Sequence, residues 1–371
     1  MPPGSPKHKQ DGASGDPNDR GATRVAILGI GQMGLVCAGI LSRTHHRNDP
    51  ADSARRQPHQ VVMWGHNDDD AGELTQTRRS IRLAGFALPE SVRVTTNLAK
   101  AVAGADLVVS SIPVQFKRDV FTKLRAKMPR GVGVVSVAKG IENKTLLRPT
   151  QIIADALRDD PDAKPRPIGA LSGPTIASEL ARGLPATMIA ASDSPGFAQR
   201  VQQHFATSYL RIYTNEDLLG VELAGAMKNV IAIAAGVIDG LQAGYNAKSA
   251  LLARGLAEIT RLGTAMGAST ETFFGLAGVG DLATTCFSPE GRNRSLGEAL
   301  GRGQKLDDYL AKSNHIVEGV ATTRSVVDLA RKYRVDMPIV QSVHAVLFEG
   351  MDPIEGIGRL MSREQKAERV G

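Results

Sequence analysis

Lys228 is the residue whose surroundings most strongly suggest chemistry. Residues 221–236 have the sequence VELAGAMKNVIAIAAG, so apolar and small side chains surround the lysine at helical spacing. A lysine held in such a place loses solvation, which lowers its pKa and lets it exchange protons near neutral pH. The alternative is that its long side chain reaches solvent past an apolar face. We therefore treat Lys228 as a candidate acid/base residue.

Two polar segments follow short apolar runs that we predict to be strands. Lys139 comes just after the run 133–137, and the turn 172–175 (SGPT) comes just after the run 167–171. The carboxyl ends of parallel strands are where α/β sheets bind ligands, so both segments could contact one. A plain turn is the alternative for 172–175.

A carboxylate and an arginine stand out near the C-terminal third of the chain. Asp281 follows the glycine-rich run 275–280, where capping of a helix N-terminus is the alternative role. Arg292 and Asn293 follow Pro-Glu-Gly, so the arginine could bind an anion through its fork of N–H groups. Surface charge is the alternative for that pair.

A glycine pattern near the N-terminus predicts a dinucleotide site. Gly29, Gly31 and Gly34 form G-x-G-x-x-G directly after an apolar run and before an apolar helical stretch. The first glycine permits a tight turn, the second lets the backbone approach a pyrophosphate, and the third lets the helix pack closely. The N–H groups at the start of that helix would face the anion.

The choice between NAD and NADP stays open. An acidic residue at the end of the second strand would favour NAD by bonding the ribose 2′-hydroxyl. That strand is followed by His66, and acids come only at 68–70. His66 with Arg78 or Arg79 could accommodate a 2′-phosphate, while solvated surface is the alternative for the two arginines.

The elements that must position these residues form two parts. Short apolar runs alternate with helical stretches up to residue 215, and their near-continuous hydrophobicity predicts a parallel sheet covered on both faces. We predict an N-terminal arm at 1–22, a Rossmann-like doubly wound α/β domain at 23–215, and a mostly α-helical substrate domain at 216–371. The polar segment 42–60 is predicted to be a surface loop. The predicted strands are 24–30, 60–64, 106–112, 133–137, 167–171, 186–191 and 210–213.

Composition narrows the function classes. The 371-residue chain carries a net charge of +7, which suits anionic ligands as well as nucleic acid. Its basic residues are dispersed and aromatic residues make up only 4%, so we expect no nucleic-acid partner. No run of about 18 apolar residues occurs, so we expect no membrane span.

The cysteines and histidines favour a cytoplasmic protein without a metal site. Cys37 and Cys286 are the two cysteines, too few for a disulfide framework. Cys37 falls in an apolar helical stretch, which predicts a packing role. The histidines show no ligand spacing. The sequence does not determine the oligomeric state, and a homodimer is one option.

From about residue 24 to 367 the chain resembles the bacterial-type glycerol-3-phosphate dehydrogenase family. That family has a Rossmann domain and a helical domain, and it interconverts dihydroxyacetone phosphate and sn-glycerol 3-phosphate with NAD or NADP, supplying the glycerophospholipid backbone. The matching segments are GIGQMG from Gly29, MWGHN from Met63, GFALPESV from Gly85, VAKGIE from Val137, LSGPTIASELARGLPAT from Leu171, ELAGAMKNVIAIAAGVIDG from Glu222, NAKSALLARGLAEITRLG from Asn246, GLAGVGDLATTC from Gly275, GRNRSLGEALGRG from Gly291, IVEGVATT from Ile316 and MPIVQSVHAVL from Met337.

The resemblance implies roles for individual residues. Lys228 would exchange a proton with the substrate oxygen, while Asn229 and Asp281 would orient the lysine and the substrate. Arg292 and Asn293 would hold the substrate phosphate. The positions implied to contact substrate are Lys139, Gly173, Thr175, Lys228, Asp281, Gly291, Arg292 and Asn293. The positions implied to contact the dinucleotide are Gly29, Gly31, Gln32, Met33, Gly34, His66, Lys139, Ala177, Arg292, Ile316 and Glu318.

Two departures and two rival hypotheses accompany the resemblance. Gly291 stands where the family usually has serine, and Arg82 lies where the family has an aromatic pattern. One rival is another two-domain dehydrogenase, of the ketopantoate reductase or 6-phosphogluconate dehydrogenase type. Those enzymes share the glycine motif and a helical lysine but lack the SGPT turn and the Arg-Asn pair in this order. The other rival is a non-catalytic dinucleotide-binding regulator.

Overall fold

The computed structural model describes residues 23–43, 59–159, 165–313, 316–365 and 367. The predicted arm 1–22 and most of the predicted loop 42–60 lie outside these residues. Within these residues the chain forms a part that contains a β-sheet, followed by a helical part.

An eight-stranded sheet forms the first part of the fold, in the order β3-β2-β1-β4-β5-β6-β7-β8. All neighbouring strands are parallel except β6 and β7, which pair antiparallel. The predicted Rossmann-like sheet is therefore confirmed, with this one reversed pairing and the short strand β3 as additions. The strands are β1 Arg24–Leu28, β2 Gln60–Trp64, β3 Arg93–Thr95, β4 Leu107–Ser110, β5 Gly133–Ser136, β6 Ile168–Ser172, β7 Ala186–Ala191 and β8 Leu210–Asn215.

Helices cover both faces of the sheet. Along β1, Val25 and Ile27 belong to one apolar cluster, whereas Ala26 and Leu28 belong to another on the opposite face. Because successive side chains of a strand point to opposite faces, both faces of β1 are buried, as its continuous hydrophobicity predicts. The helices in this part are α1 Gln32–Ser42, α2 Asp68–Thr77, α3 Leu98–Val102, α4 Val114–Leu124, α5 Pro149–Leu157, α6 Ala177–Ala181 and α7 Pro195–Phe205.

The second part is helical, as the sequence predicts, and surrounds one long central helix, α8. Its helices are α8 Leu218–Gly240, α9 Gly244–Ala265, α10 Thr270–Phe274, a π-helical turn Leu276–Gly280, α11 Asp281–Phe287, α12 Arg292–Gly301, α13 Leu306–Lys312, α14 Glu318–Tyr333, α15 Pro338–Phe348 and α16 Pro353–Met361. Helices α8 and α12 touch closely, since a Cβ on Gly297 would lie 1.9 Å from the carbonyl oxygen of Ile233. Arg292 and Asn293 at the polar start of α12 line the same cavity as Lys228 of α8.

Among the described residues, only α8 is long and apolar enough to span a bilayer. Its most apolar 18-residue window is 94% buried within the protein. The helix therefore uses its apolar surface to form the core of the helical part, where it contacts α9, α11, α12 and α14.

Candidate active site

A cavity of about 760 Å³ lies where the carboxyl ends of the strands meet the helical part. Carboxyl strand ends are the usual ligand-binding edge of such sheets. Residues that follow β1, β2, β4 and β5 line the cavity on one side, and residues of α8, α12 and α14 line it on the other. Of the residues implied by the family resemblance, those that line it are Gly29, Gly31, Gln32, Met33, His66, Lys139, Thr175, Ala177, Lys228, Asn229, Gly291, Arg292, Asn293, Ile316 and Glu318.

The glycine-rich loop has the geometry that a pyrophosphate needs. Gly29 has φ +113°, a conformation that L side chains rarely adopt, and Ser111 donates a hydrogen bond to its carbonyl oxygen. A Cβ on Gly34 would lie 2.2 Å from Gly29 O, so glycine alone lets α1 pack this closely on the loop. A Cβ on Gly31 would meet nothing within 4 Å, which leaves open space beside the backbone. No side chain caps the start of α1, so its N–H groups suit an anion.

At one end of the cavity, two lysines bind the same buried carboxylate. Lys228 Nζ lies 2.6 Å from Asp281 Oδ1, and Lys139 Nζ lies 2.5 Å from Asp281 Oδ2. The Asp281 side chain is fully buried behind the two lysines. Lys139 also donates to the carbonyl oxygen of Gly173 at 3.1 Å, which is how the SGPT turn contributes to the site.

Asp281 is the first residue of α11, and its carboxylate does not cap that helix. The N-cap residue is Gly280, and no side-chain capping bond is present there. One helical turn later, Thr285 donates to the Asp281 carbonyl oxygen at 2.7 Å and its hydroxyl is also bonded to Lys228. The sequence analysis did not identify Thr285, although its i, i+4 spacing from Asp281 places both residues on one face of the helix.

Burial lowers the pKa of Lys228 from its usual value to about 8. The Asp281 carboxylate opposes this shift and raises the pKa, whereas the nearby Lys139 ammonium lowers it further. The result is a lysine that exchanges its proton within reach of neutral pH, as a general acid or base requires. The alternative of a solvent-exposed ammonium is wrong, because only 7% of the Lys228 side chain is exposed.

Asparagine and arginine side chains of α8 and α12 form part of the cavity side that the helical part contributes. Asn229 donates to the carbonyl oxygen of Lys139 at 3.4 Å, so it contacts the backbone of one lysine rather than the ammonium of the other. Asn293 accepts a hydrogen bond from Gly319 N at 2.9 Å, which leaves its amide NH₂ as the group to offer a ligand. Arg292 donates to the carbonyl oxygen of Ile316 at 3.2 Å while its side chain lines the cavity.

Glu318 places a carboxylate between the two parts of the fold. It begins α14, and its Oε1 accepts a hydrogen bond from Val114 N at 3.4 Å. Burial raises its pKa, and the charges of Arg292, Lys117 and Lys139 oppose that shift.

Lys117 of α4 is a buried charge that the sequence analysis did not single out. It is completely buried, and its ammonium donates to Ser110 at 2.6 Å and to Ser136 at 3.2 Å. These serines are paired neighbours at the carboxyl ends of β4 and β5. Lys117 follows Val114 by three residues and precedes Leu124 by seven, so it falls on the apolar stripe of the helix. A lysine on that stripe is the signal that could have revealed it.

The structure does not bring Arg78 or Arg79 to the cavity. Arg78 is the left-handed residue that ends α2, and its guanidinium binds the carbonyl oxygens of Pro89 and Val92. Arg79 is exposed outside the cavity. Arg82 lines the cavity instead, as His66 does.

Three more of the implied residues lie at a turn or at a helix start that lines the cavity. Thr175 donates to Gly173 O at 3.3 Å within the SGPT turn. Ala177 begins the short helix α6, and Gly291 is the N-cap residue of α12.

Both cysteines are buried, and burial raises the pKa of each thiol to about 12, which agrees with the predicted packing role of Cys37.

Two family models match the chain in succession. The model described as NAD-dependent glycerol-3-phosphate dehydrogenase N-terminus matches residues 24–198. The model described as NAD-dependent glycerol-3-phosphate dehydrogenase C-terminus matches residues 217–358. Together they cover most of both structural parts and all the residues that line the cavity.

Individual relatives agree with the family models. A glycerol-3-phosphate dehydrogenase (NAD(P)+) of Chlorobium limicola is 42% identical over 345 residues, which are 93% of this chain and 99% of that protein. Glycerol-3-phosphate dehydrogenase (NAD(P)+) 1 of Salinibacter ruber is 46% identical over 309 residues, 83% of this chain and 90% of that protein. The crystal structure of glycerol-3-phosphate dehydrogenase from Coxiella burnetii superimposes with a TM-score of 0.83 at 31% identity, covering 92% of this chain and 99% of that one.

Proposed function

The chain belongs to the NAD-dependent glycerol-3-phosphate dehydrogenase family, and we propose that it interconverts dihydroxyacetone phosphate and sn-glycerol 3-phosphate with Lys228 as the acid/base. The observation that carries this proposal is the pair of lysines that share the buried Asp281 at the end of a dinucleotide-sized cavity. Membership of this family replaces the ketopantoate reductase and 6-phosphogluconate dehydrogenase hypotheses, and its dehydrogenase relatives speak against a non-catalytic regulator.

The residues of the cavity fit a nicotinamide dinucleotide. The open backbone at Gly31 and the uncapped start of α1 suit its pyrophosphate, and Met33, Ala177 and Glu318 line the same cavity. When bound, the nicotinamide supplies or accepts the hydride. The task of this chain is then to bind and orient the substrate and to move one proton.

Lys228 is the group placed to move that proton. In the reducing direction, the ketone oxygen gains negative charge as its carbon takes up hydride, and the ammonium of Lys228 donates a proton to that oxygen. The product hydroxyl and a neutral amine result. Asp281 stabilises the ammonium at 2.6 Å and so keeps the donor charged before the reaction. In the oxidising direction, the neutral amine of Lys228 accepts the hydroxyl proton.

Arg292 and Asn293 would bind the substrate phosphate at a distance from the reacting carbon. A guanidinium can bind a phosphate through two N–H groups, which gives orientation as well as affinity. Gly291 supplies no hydroxyl at the start of α12, so this chain relies on the backbone and the two side chains there.

The assay follows nicotinamide absorbance with NADH and NADPH in separate runs, using dihydroxyacetone phosphate and then dihydroxyacetone. We expect oxidation of the cofactor with the phosphorylated ketone and little with the unphosphorylated one. Folded protein that binds dinucleotide but turns over neither ketone would refute the proposal.

The wider role rests on the family resemblance. We propose that the protein works in the cytoplasm and supplies the backbone of glycerophospholipids. Cells depleted of this protein should then stop phospholipid synthesis and recover when sn-glycerol 3-phosphate is supplied. Sedimentation of the pure protein would test the homodimer.

A further inference from the structure

One end of the cavity has an unusual set of side chains for a dinucleotide fold. Strand β2 ends at Trp64, and the chain passes through His66 and Asn67 into α2. The residue at the end of the second strand is the one that meets the adenosine ribose in such folds. In this chain the cavity wall there consists of Trp64, His66, Asn67, Asp70 and Arg82.

The amide of Asn67 and the carboxylate of Asp70 at this wall already have partners. Asn67 Oδ1 accepts hydrogen bonds from Asp69 N at 2.7 Å and Asp70 N at 3.1 Å, because it caps α2. Asp70 Oδ2 binds Arg82 Nη2 at 2.5 Å. Asp68 and Asp69 are exposed and do not line the cavity. Asp70 is therefore the one carboxylate of this wall among the described residues, and its charge is paired with Arg82 rather than left for a ribose 2′-hydroxyl.

The N–H groups of Arg82, by contrast, outnumber the acceptors that bind them among the described residues. The guanidinium of Arg82 has five N–H groups, and its ion-pair partner among the described residues is Asp70. About a third of its side chain remains exposed to the cavity and solvent. His66 is exposed and lines the same cavity, with its ring centroid 6.0 Å from that of Trp64. Arginine and histidine N–H groups bind a phosphate dianion well and a hydroxyl weakly.

We propose that Arg82, held at the cavity wall by Asp70, is the specificity-determining residue for the dinucleotide and that it selects the 2′-phosphate of NADP(H) over the 2′-hydroxyl of NAD(H). His66 forms the second side of this subsite. The inference deepens the proposed function, on which it rests, by naming the cofactor class. It also replaces Arg78 and Arg79 with Arg82 as the arginine that faces the ribose.

A direct binding measurement can test this without turnover. Trp64 is the only tryptophan of the chain and lines the same wall, so its fluorescence reports on ligands there. The probes are adenosine 2′,5′-bisphosphate and adenosine 5′-monophosphate, which differ by the 2′-phosphate alone. Calorimetry at the same salt concentration gives an independent dissociation constant for each probe.

We expect the wild-type protein to bind the bisphosphate at least about tenfold more tightly than the monophosphate, the effect of one charge-assisted arginine contact. Arg82→Met should remove most of that preference and leave the monophosphate affinity within about twofold. Arg79→Met removes the same charge three residues away, outside the cavity, and should change neither affinity. Thermal melting confirms that each variant is folded.

Equal affinities of the wild-type protein for the two probes would overturn the inference. So would equal weakening of both probes by Arg82→Met, since Arg82 would then contact the adenosine in general. The binding test of this inference and the turnover assay of the proposed function can fail independently. Reduction of dihydroxyacetone phosphate with no 2′-phosphate preference would leave the function standing and this inference refuted, and the reverse pattern would refute only the function.

Discussion

Lys228 and Asp281 lie 53 residues apart in the chain, and their side chains meet at 2.6 Å inside the protein. The carboxylate is fully buried and its other oxygen binds Lys139. Two ammonium groups thus share one carboxylate, an arrangement that keeps Lys228 in place while its burial lowers its pKa.

Lys228→Ala should lower kcat by about 10²- to 10⁴-fold, the range for loss of a general acid. Dinucleotide affinity should stay near the wild-type value, because the lysine is at the substrate end of the cavity. Steady-state kinetics and Trp64 fluorescence titration measure the two quantities. The exposed Lys127→Ala serves as the matched control and should change neither. A kcat within a few-fold of wild type would remove Lys228 from its assigned role.

Asp281→Asn should shift the pH dependence of ketone reduction towards lower pH. Reduction needs protonated Lys228, whose pKa is about 8, so the rate of the wild-type enzyme should fall as pH rises through that value. The Asp281 carboxylate raises this pKa, and its replacement by a neutral amide of similar shape lowers it. The rate would then fall at a lower pH in the variant. Profiles of kcat against pH that coincide for the two proteins would contradict the assignment.

Arg292→Ala should raise the KM for dihydroxyacetone phosphate by about 10- to 100-fold, the effect of losing a charge-assisted contact with phosphate. The guanidinium lines the cavity and is held by a hydrogen bond to the Ile316 carbonyl oxygen. Arg302 is the C-cap residue of the same helix and its side chain is exposed, so Arg302→Ala is the control. A near-normal KM in Arg292→Ala would show that the phosphate binds elsewhere.

Local patterns in the sequence predict much of the fold. The run 186–191 is a strand with the predicted bounds, and the glycine motif follows β1 and continues into the start of α1, as expected. The antiparallel pairing of β6 with β7 is not predictable in this way. Both strands carry apolar side chains on both faces, and such a pattern has no direction.

The site depends on contacts that local patterns do not specify. Lys139 and Asp281 are separated by 142 residues, so their ion pair follows from the way α11 packs beside the sheet edge. The family motifs identify Lys139 and Asp281 as site residues, but their separation in the sequence does not predict that they form an ion pair. Which arginine lines the cavity is likewise not predictable from the sequence. Arg78 ends α2 in a left-handed conformation and its guanidinium binds the Pro89 carbonyl oxygen, so Arg82 lines the cavity in its place.

Lys117→Met should stabilise the protein, and the gain should depend on pH. Burial lowers the pKa of Lys117 to about 7, so the folded state binds fewer protons than the unfolded state between about pH 7 and 10.5. The stability of the wild-type protein therefore rises with pH across that window. Methionine has a similar volume, carries no charge and is free of this dependence.

The advantage of Lys117→Met should accordingly be largest below pH 7 and should shrink as the pH approaches 10.5. The pH-dependent part is bounded at about 5 kcal/mol, because one pKa unit corresponds to about 1.36 kcal/mol. Urea unfolding at pH 6 and pH 9 measures the free energy of unfolding of both proteins. The control is Lys127→Met, which alters an exposed lysine and should show no such trend. A variant less stable than wild type at pH 6 would mean that the bonds from Lys117 to Ser110 and Ser136 outweigh the cost of burying the charge.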